Sequence, residues 1–438
     1  MEFKQYPSYK PSGVEWLGDV PEHWQIVRTK DIFNHRKEEA LEDDEIVTAF
    51  RDGQVTLRKN RRTDGFTNSI KEHGYQHINS GDLVIHEMDA FAGAIGVSDS
   101  SGKSTPVYSV CYAKNENINH HFYSHFFRTM AKTGFINSLA KGIRVRSTEF
   151  RWNESRNVYL VEPPKSDQQK IVAFLDTETT RIDNLISKQE KLIELLEEQR
   201  KSIISHAVTK GLNPNAPMKD SGVEWLGEVP EHWMTPSSKH LLEIPITDGP
   251  HETPNFVDDG VPFISAEAIS KGKIDFDKKR GYITPELNAI YSKKYSPKID
   301  DIYMVKSGAT TGKVAMVETT EEFNIWSPLA VFRCNKNKML PKFLLAVFNS
   351  SHFYDALVLN WSYGTQQNIG MGVLSNIEIP CPSLKEQAEI IQHLDAQNTK
   401  FDKLISTQSQ LIEKLKEYRS SIISHAVTGK IDVREFDA

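Results

Sequence analysis

The chain has 438 residues, of which 38% are hydrophobic and 26% charged, and its formal net charge is -6. This composition is typical of a globular protein with two or three domains, and no apolar run reaches the roughly 18 residues that a membrane-spanning helix needs. The three cysteines are far apart and form no CxxC pair. We therefore expect inert thiols in a reducing cytoplasm rather than disulfides or a metal site.

The negative net charge does not decide whether the protein binds nucleic acid, because binding depends on where the cations lie. Acidic residues gather at 38–45 and 190–198, whereas basic residues gather elsewhere. The basic clusters are Arg58, Lys59, Arg61 and Arg62; Lys141, Arg144, Arg146 and Arg151; and Lys278, Lys279 and Arg280.

An almost verbatim repeat organises the chain. The segment 12–24 reads SGVEWLGDVPEHW and returns at 221–233 with a single change, from Asp19 to Glu228. The sequence SIISHAVT likewise occurs at 202–209 and again at 421–428. This period is too long for a solenoid repeat and indicates a duplicated unit that consists of a short element, a variable domain and a long helix.

In chain order, the repeat predicts alternating short, variable and helical segments. They are an N-terminal repeat element at 1–24, a variable domain at 25–164, a long helix at 165–212, a second repeat element at 213–233, a second variable domain at 234–383, a second long helix at 384–428 and a C-terminal tail at 429–438. Short alternating strands between glycines and prolines predict an α+β fold for each variable domain.

The long helices are predicted from apolar residues that alternate by three and four positions, the spacing of a coiled-coil seam. The seam residues are Ile182, Leu185, Leu192, Leu196 and Ile203 in the first copy and Phe401, Leu404, Leu411, Leu415, Tyr418 and Ile422 in the second. A lone helix would expose this seam. We therefore expect an intramolecular, antiparallel coiled coil that separates the two α/β domains with approximate two-fold symmetry. Gly211 and Gly429 are the predicted helix stops.

The segment from Tyr6 to Trp24 resembles the opening of type I restriction–modification specificity subunits. The likeness continues at PPKSDQ (163–168), PSLKEQ (382–387), GATTG (308–312) and GTQQ (364–367), and it covers essentially the whole chain. It implies that each variable domain is a target-recognition domain for one half of a split double-stranded DNA site, with the helices as spacer. It also implies that two methyltransferase subunits dock on the repeated parts and that restriction subunits join them. S-adenosylmethionine, ATP and Mg²⁺ are then expected on those partners and not on this chain.

Direct readout of bases uses Arg or Lys for guanine and Asn or Gln for adenine. On this basis the DNA-binding candidates are Arg58, Lys59, Arg61, Arg62, Arg144 and Arg146 in the first domain and Lys306, Ser307, Thr310, Thr311, Gln366, Gln367 and Asn368 in the second. The partner-binding or spacer candidates are Trp16, Trp225, Gln189, Gln408, His206 and His425. We expect the two glutamines, which occupy seam positions, to pair or to specify the register of the helices.

Catalytic motifs are absent from the sequence. No Asn/Asp-Pro-Pro-aromatic tetrapeptide of adenine methyltransferases and no GxxxxGK[S/T] loop for ATP occurs. Lys306 to Lys313 resembles a phosphate loop only superficially, because its spacing fails. We therefore expect a non-catalytic subunit without a metal.

Other assignments remain open at this point. The same sequence pattern fits the specificity subunit of a type IIB-like enzyme. A coiled-coil scaffold that binds proteins and never contacts DNA is a second alternative, and an enzyme with a cryptic nuclease or methyltransferase site is a third.

Overall fold

A computed structural model of the protein describes residues 3–61, 73–139, 150–270, 272–360, 362–363 and 367–436, with only the backbone at 362, 363 and 367. The chain forms two compact units. Unit 1 comprises Met1–Gln189 and Gln410–Ala438, and unit 2 comprises Glu190–Ser409. Each unit therefore contains one repeat element, one variable domain and a part of both long helices. In the described ranges, no helix is both long and apolar enough to cross a membrane.

Unit 1 consists of short strands and helices followed by one long helix. Its strands are β1 (Tyr9–Pro11), β2 (Asp19–Pro21), β3 (Gln25–Arg28), β4 (Phe33–His35), β5 (Val47–Ala49), β6 (Val55–Leu57), β7 (Gln76–Ile78), β8 (Leu83–His86), β9 (Ile95–Val97), β10 (Gly102–Ser104), β11 (Tyr108–Ala113) and β12 (Tyr159–Glu162). Its helices are α1 (Thr29–Ile32), α2 (His120–Lys132), α3 (Phe135–Ser138), α4 (Trp152–Ser155) and the beginning of α5 (Lys165–Lys210).

Unit 2 repeats this plan with a larger variable domain. Its strands are β13 (Met218–Asp220), β14 (Glu228–Pro230), β15 (Thr247–Asp248), β16 (Val261–Ile264), β17 (Ile269–Ser270), β18 (Lys273–Ile274), β19 (Gly281–Ile283), β20 (Ile302–Val305), β21 (Val314–Met316), β22 (Asn324–Ile325), β23 (Leu329–Phe332), β24 (Ser362–Tyr363) and β25 (Gln367–Asn368). Its helices are α6 (Pro285–Ser292), α7 (Pro341–Phe348), α8 (Ser351–Leu359), α9 (Met371–Asn376) and the beginning of α10 (Leu384–Val427).

The same four-stranded antiparallel sheet forms the centre of each unit. Its order is β4-β11-β8-β9 in unit 1 and β15-β23-β20-β21 in unit 2. A buried aspartate precedes the equivalent strands β8 and β20, and an arginine holds each one with two hydrogen bonds: Arg36 holds Asp82 at 2.7 and 2.9 Å, and Arg333 holds Asp301 at 2.7 Å twice. The two arginines lie beside different strands of the sheet. The frame is therefore common to both units although the sequences that build it differ.

Within each unit, the beginning of one long helix packs against the end of the other. In unit 1, Ile171 of α5 and Val427 of α10 share one apolar core, and Asp183 pairs with Arg419 at 2.8 Å. In unit 2, Val208 and Ile390 share a core in the same way. The helix segments therefore run antiparallel in each unit, which confirms the predicted intramolecular pairing.

The seam between the helices is less buried than its spacing predicts. Ile182 and Ile422 in unit 1 are buried, as is Phe401 in unit 2, but Leu404 in unit 2 and Leu411 in unit 1 are 46% and 39% exposed. Two helices cover a side chain from one direction only, so flanking seam residues stay open to solvent. Long apolar side chains therefore remain available on the surface of both helices.

The predicted stop glycines follow the helices in a left-handed conformation. Gly211 comes directly after α5 with φ +74°, and Gly429 comes two residues after α10 with φ +72°. Glycine reaches this region without the strain that a Cβ atom adds. At Gly429 an added Cβ would also lie 2.4 Å from Cδ of Pro21. This position therefore needs glycine for space as well as for conformation.

One buried glutamine joins each variable domain to the first turn of its helix. The Gln168 amide accepts from the Asn119 N–H at 2.8 Å and donates to two backbone carbonyls, those of Pro163 at 2.8 Å and Asn117 at 3.1 Å. Gln387 accepts from the Leu340 N–H at 2.8 Å and donates to the carbonyls of Pro382 and Lys338 at 2.9 and 3.0 Å. Both side chains are fully buried. A single amide thus satisfies three backbone groups in each unit.

We predict that Gln387→Met lowers the free energy of unfolding of unit 2 by about 2–4 kcal/mol, because one buried N–H and two buried carbonyls lose their partner while the volume stays similar. Urea unfolding of the full chain measures this loss. Gln392→Met is the matched control, since Gln392 is exposed on the same helix. Equal midpoints for the two variants would contradict the role given to Gln387.

Candidate nucleic-acid interface

In unit 2, the predicted polar residues lie on the turn that follows β20. Gly308 and Gly312 take φ values of +104° and +89°, and between them Thr311 donates its hydroxyl to the Gly308 carbonyl at 2.7 Å. Thr310 is half-buried and Thr311 is buried. The turn is therefore stabilised by its own hydrogen bonds. The Thr311 hydroxyl donates within the turn, so its hydrogen is not available to a ligand.

A second segment comes alongside this turn. The N–H of Ile369 donates to the Lys306 carbonyl at 2.8 Å, and Ser307 and Asn368 form an antiparallel bridge. The structure thus brings together Lys306, Ser307 and Asn368, which are far apart in sequence. Gln366 lies outside the described residues, and Gln367 is described by its backbone alone in β25.

The buried carboxylate of Asp248 lies next to this turn and contacts three basic side chains. Lys294 lies 2.6 Å from it, Lys306 3.4 Å and His251 3.2 Å. Lys294 is about half exposed and His251 mostly exposed. One buried anion therefore holds the nearly buried Lys306 and positions Lys294 and His251 at the surface, where a basic rim suits the phosphates of nucleic acid.

Unit 1 has the equivalent turn after β8, with a different charge. Gly93 has φ +89°, like Gly312, and the N–H of Phe150 donates to the Glu87 carbonyl at 2.9 Å, as Ile369 does to Lys306. Glu87 accepts a hydrogen bond from the Ser109 hydroxyl at 2.8 Å. The same backbone geometry thus carries an acid in one unit and a base in the other. Arg144 and Arg146 belong to the segment before Phe150 and lie outside the described residues.

A cleft of about 820 Å³ in unit 1 gathers other predicted residues. Arg58 and Arg61 line it together with Arg51, His86 and Tyr108. Arg61 pairs with Asp52 at 2.8 Å and lies over the Phe50 ring at 4.2 Å. Arginine stacked on an aromatic ring keeps hydrogen-bond donors free for a ligand.

Lys59, a further basic candidate, does not line this cleft. Lys59 pairs with Glu45 at 2.5 Å on the exposed surface, and Arg62 lies outside the described residues. Burial lowers the pKa of His86 at the cleft wall, so this imidazole is neutral at pH 7. The cleft therefore takes its positive charge from arginines.

The tryptophans of the repeat elements contact their own domains. Trp16 packs on Phe126 and Phe135 with ring centroids 5.6 and 5.2 Å apart, and Trp225 packs on Phe353 at 5.7 Å. Both rings are half-buried. These contacts seat each repeat element on its domain, and a role of the tryptophans in partner binding stays a prediction.

The remaining spacer candidates lie on the long helices. His206 and His425 are exposed, whereas Gln189 and Gln408 are half-buried. The two histidines occupy equivalent positions near the ends of α5 and α10. Their exposure leaves them available to a partner, and the function of the two glutamines in the register stays a prediction.

Several residues at these sites were not predicted from the sequence. Asp248 and Lys294 are 46 positions apart, so no local motif connects them. Arg51 and Tyr108 reach the unit 1 cleft from a hairpin turn and from a sheet strand. The triplet GPH that follows Asp248 was the available signal for a turn at that place.

The described residues offer no arrangement for metal or thiol chemistry. Over the described ranges no group of three His, Cys, Asp or Glu side chains suited to a metal ion occurs. The three cysteines are buried, and burial raises the pKa of all three thiols. Thiolates, the reactive form, are therefore suppressed at neutral pH.

A family model and a sequence relative both relate this chain to type I restriction–modification systems. The family model described as type I restriction modification DNA specificity domain matches residues 21–196 and 230–417. The specificity subunit of the type I restriction enzyme MjaVIII from Methanocaldococcus jannaschii is 24% identical over 431 residues, which are 95% of each chain.

Two solved structures share the fold. A chain from a study of complex assembly and conformational transition of the type I R-M system has a TM-score of 0.66 at 16% identity, covering 93% of this chain and 98% of that one. The HsdS subunit from Thermoanaerobacter tengcongensis has a TM-score of 0.52 at 17% identity, covering 94% and 98%.

We predict that Asp248→Asn destabilises unit 2 by about 2–3 kcal/mol, because Lys306 is nearly buried and loses its counter-charge. The cost stays below that of a fully buried pair, since Lys294 and His251 reach solvent. Thermal and urea unfolding measure it. Asp258→Asn, which alters an exposed carboxylate of the same domain, should change stability by less than about 0.5 kcal/mol.

Proposed function

The chain belongs to the type I restriction–modification DNA specificity family, and we propose that it reads a bipartite DNA target with one half-site per variable domain. It is a non-catalytic subunit. The observation that carries the proposal is the pair of equivalent turns, 87–93 and 306–312, which share a left-handed glycine and a backbone hydrogen bond to a later segment and differ in charge. A common frame with different polar surfaces is what two readers of different half-sites require.

In unit 1 the proposed base contacts come from Arg58 and Arg61. Both line the cleft beside β5 and β6, and an arginine fork matches O6 and N7 of guanine in the major groove. Arg62, Arg144 and Arg146 are proposed as further contacts on the sequence alone.

In unit 2 the proposed contacts centre on the turn after β20. Asn368, with Gln366 and Gln367, supplies the amides that pair with adenine. Lys306, Ser307 and Thr310 supply donors for phosphates, and Lys294 extends the basic rim. Thr311 contributes by holding the turn, since its hydroxyl is bonded to Gly308.

The long helices are proposed to fix the distance between half-sites. α5 has 46 residues and α10 has 44, so at about 1.5 Å per residue each is roughly 65–70 Å long. A rigid spacer of constant length specifies a constant number of unread base pairs, as subunit geometry does in other bipartite readers.

The repeated surfaces are proposed to bind two methyltransferase subunits, with restriction subunits joining the assembly. His206 and His425 are exposed at equivalent positions. Leu192, Leu195 and Leu404 are exposed on the helices of unit 2, and they are the apolar side chains that a docking partner would cover. The chemistry requiring S-adenosylmethionine, ATP and Mg²⁺ belongs to those partners in the cytoplasm.

Mapping N6-methyladenine across the genome tests the proposal directly. A strain that carries this gene should methylate one split motif at an adenine in each half, and deletion of the gene should remove that motif alone. Restoring the gene is the control. An unchanged methylation pattern after deletion would refute the proposed function.

Exchange of residues 25–164 for the corresponding domain of another family member should change one half of the methylated motif and leave the other half and the spacing intact. The reason is that unit 1 builds its own sheet and cleft. Methylation mapping of the hybrid strain reads out both halves. A change in both halves would contradict independent reading.

Arg61→Gln should weaken binding of the reconstituted complex to its target about tenfold, the loss expected for one guanine fork. Fluorescence anisotropy at several salt concentrations measures affinity and its salt dependence. Arg156→Gln is the matched control, because Arg156 is exposed in the same unit but does not line the cleft. Equal affinities for the two variants would remove Arg61 from the interface.

A further inference from the structure

Unit 1 contains a second cleft, between α2 and the last turns of α10, that the proposed DNA reading does not use. It has a volume of about 350 Å³. From α2 it is lined by His125, Arg128 and Lys132, and from α10 by Glu417, Ser421 and Ser424. Cations and hydroxyl groups therefore face each other across a space large enough for a small ligand.

Arg128 has no counter-charge in direct contact. Among the described residues, no hydrogen bond or ion pair engages its guanidinium, and its Nε atom is buried without a partner. The nearby Arg419 is already paired with Asp183 at 2.8 Å. Buried donors are nearly always satisfied, so this Nε without a partner indicates a missing anion or water.

His125 and Lys132, which line the cleft beside Arg128, are also partly desolvated. The Nδ1 atom of His125 is buried without a partner in the described part of the chain, and burial together with Arg128 lowers its pKa to about 3. Burial also lowers the pKa of Arg128 and of Lys132. At pH 7 the cleft thus contains two cations and a neutral imidazole that can donate. Glu417 lines the same cleft but forms no ion pair within the described ranges.

Arg128 packs against the turn that contains Asp52 and Gly53, but Asp52 is paired with Arg61 at 2.8 Å and forms no ion pair with Arg128 in the described residues. An added Cβ at Gly53 would lie 2.4 Å from the guanidinium carbon, so the arginine lies directly against this glycine. The hairpin turn thus supports the guanidinium on one side, and the other side faces the cleft.

Unit 2 has the corresponding cleft at the end of α5, lined by Lys201, Ser205 and His206 together with Ser351 and His352. There the hydroxyl of Ser205 accepts from the Ser351 N–H at 2.9 Å. Lys201 is exposed to solvent, and no orphaned arginine lines this cleft in the described residues. The two copies therefore share helix residues and differ in the cations that face them.

We propose that the unit 1 cleft is a binding site for one tetrahedral oxyanion from solution, of the phosphate or sulfate class, held by Arg128 and Lys132. The His125 imidazole and the hydroxyls of Ser421 and Ser424 complete the donor set. The bound anion bridges α2 of the variable domain and the end of α10. It therefore stabilises the packing of the first variable domain against the end of α10.

The test uses the full chain, inorganic phosphate as the probe and chloride at equal ionic strength as the reference. Titration calorimetry should show one phosphate per chain, and phosphate should raise the melting temperature. Arg128→Met and Lys132→Gln should each weaken phosphate binding at least tenfold. Lys201→Gln, the matched change in unit 2, should leave it unaltered.

A measurement without phosphate separates a binding role from a structural one. Arg128→Met should then melt no lower than the unsubstituted protein, because it removes a buried charge that lacks a partner. If it melts lower, or if phosphate and chloride act equally, the site does not exist as proposed. Acetate binding in place of phosphate would also overturn the tetrahedral class and indicate a protein carboxylate as the occupant. If Arg128→Met fails to fold, Lys132→Gln alone decides the outcome.

Discussion

The buried amides of Gln168 and Gln387 join each variable domain to its long helix, and the architecture of both units depends on this contact. Each amide bonds only to backbone N–H and carbonyl groups. A contact of this kind does not depend on which side chains the domain carries. The domains can therefore differ almost everywhere in sequence and still meet their helices in the same way.

The sequence differences between the two domains include the turns at the edge of the common four-stranded sheet. Asp82 and Asp301 are held by arginines from different strands, yet the turns that follow keep the same glycine conformation. The polar groups on those turns are free to differ, as Glu87 and Lys306 do. A stable frame with replaceable loops is the physical basis on which two readers can recognise different half-sites.

The helices and repeat elements are under the opposite constraint. The repeat elements and the helix ends 202–209 and 421–428 are nearly identical in the two copies, as expected if they bind, as we propose, two copies of one partner. The exposed leucines of the seam fit this division, since two helices alone do not cover them. Within the described residues, an arginine without a partner, Arg128, lines the cleft between domain and helix in one copy only, so the copies have diverged where a domain faces its helix.

The sequence by itself determined the duplication, the two long helices, their stop glycines and the α+β class of the domains. These features are local or periodic, so spacing and turn chemistry are enough to read them. The sequence also placed Arg58, Arg61, Lys306, Ser307 and Asn368 in the candidate interface. Only the tertiary structure decided that Lys59 pairs with Glu45, that Thr311 holds its own turn, and that Asp248 lies between Lys294 and Lys306. Those outcomes depend on which distant side chains the sheet brings within bonding distance, and no local pattern in the chain encodes that distance.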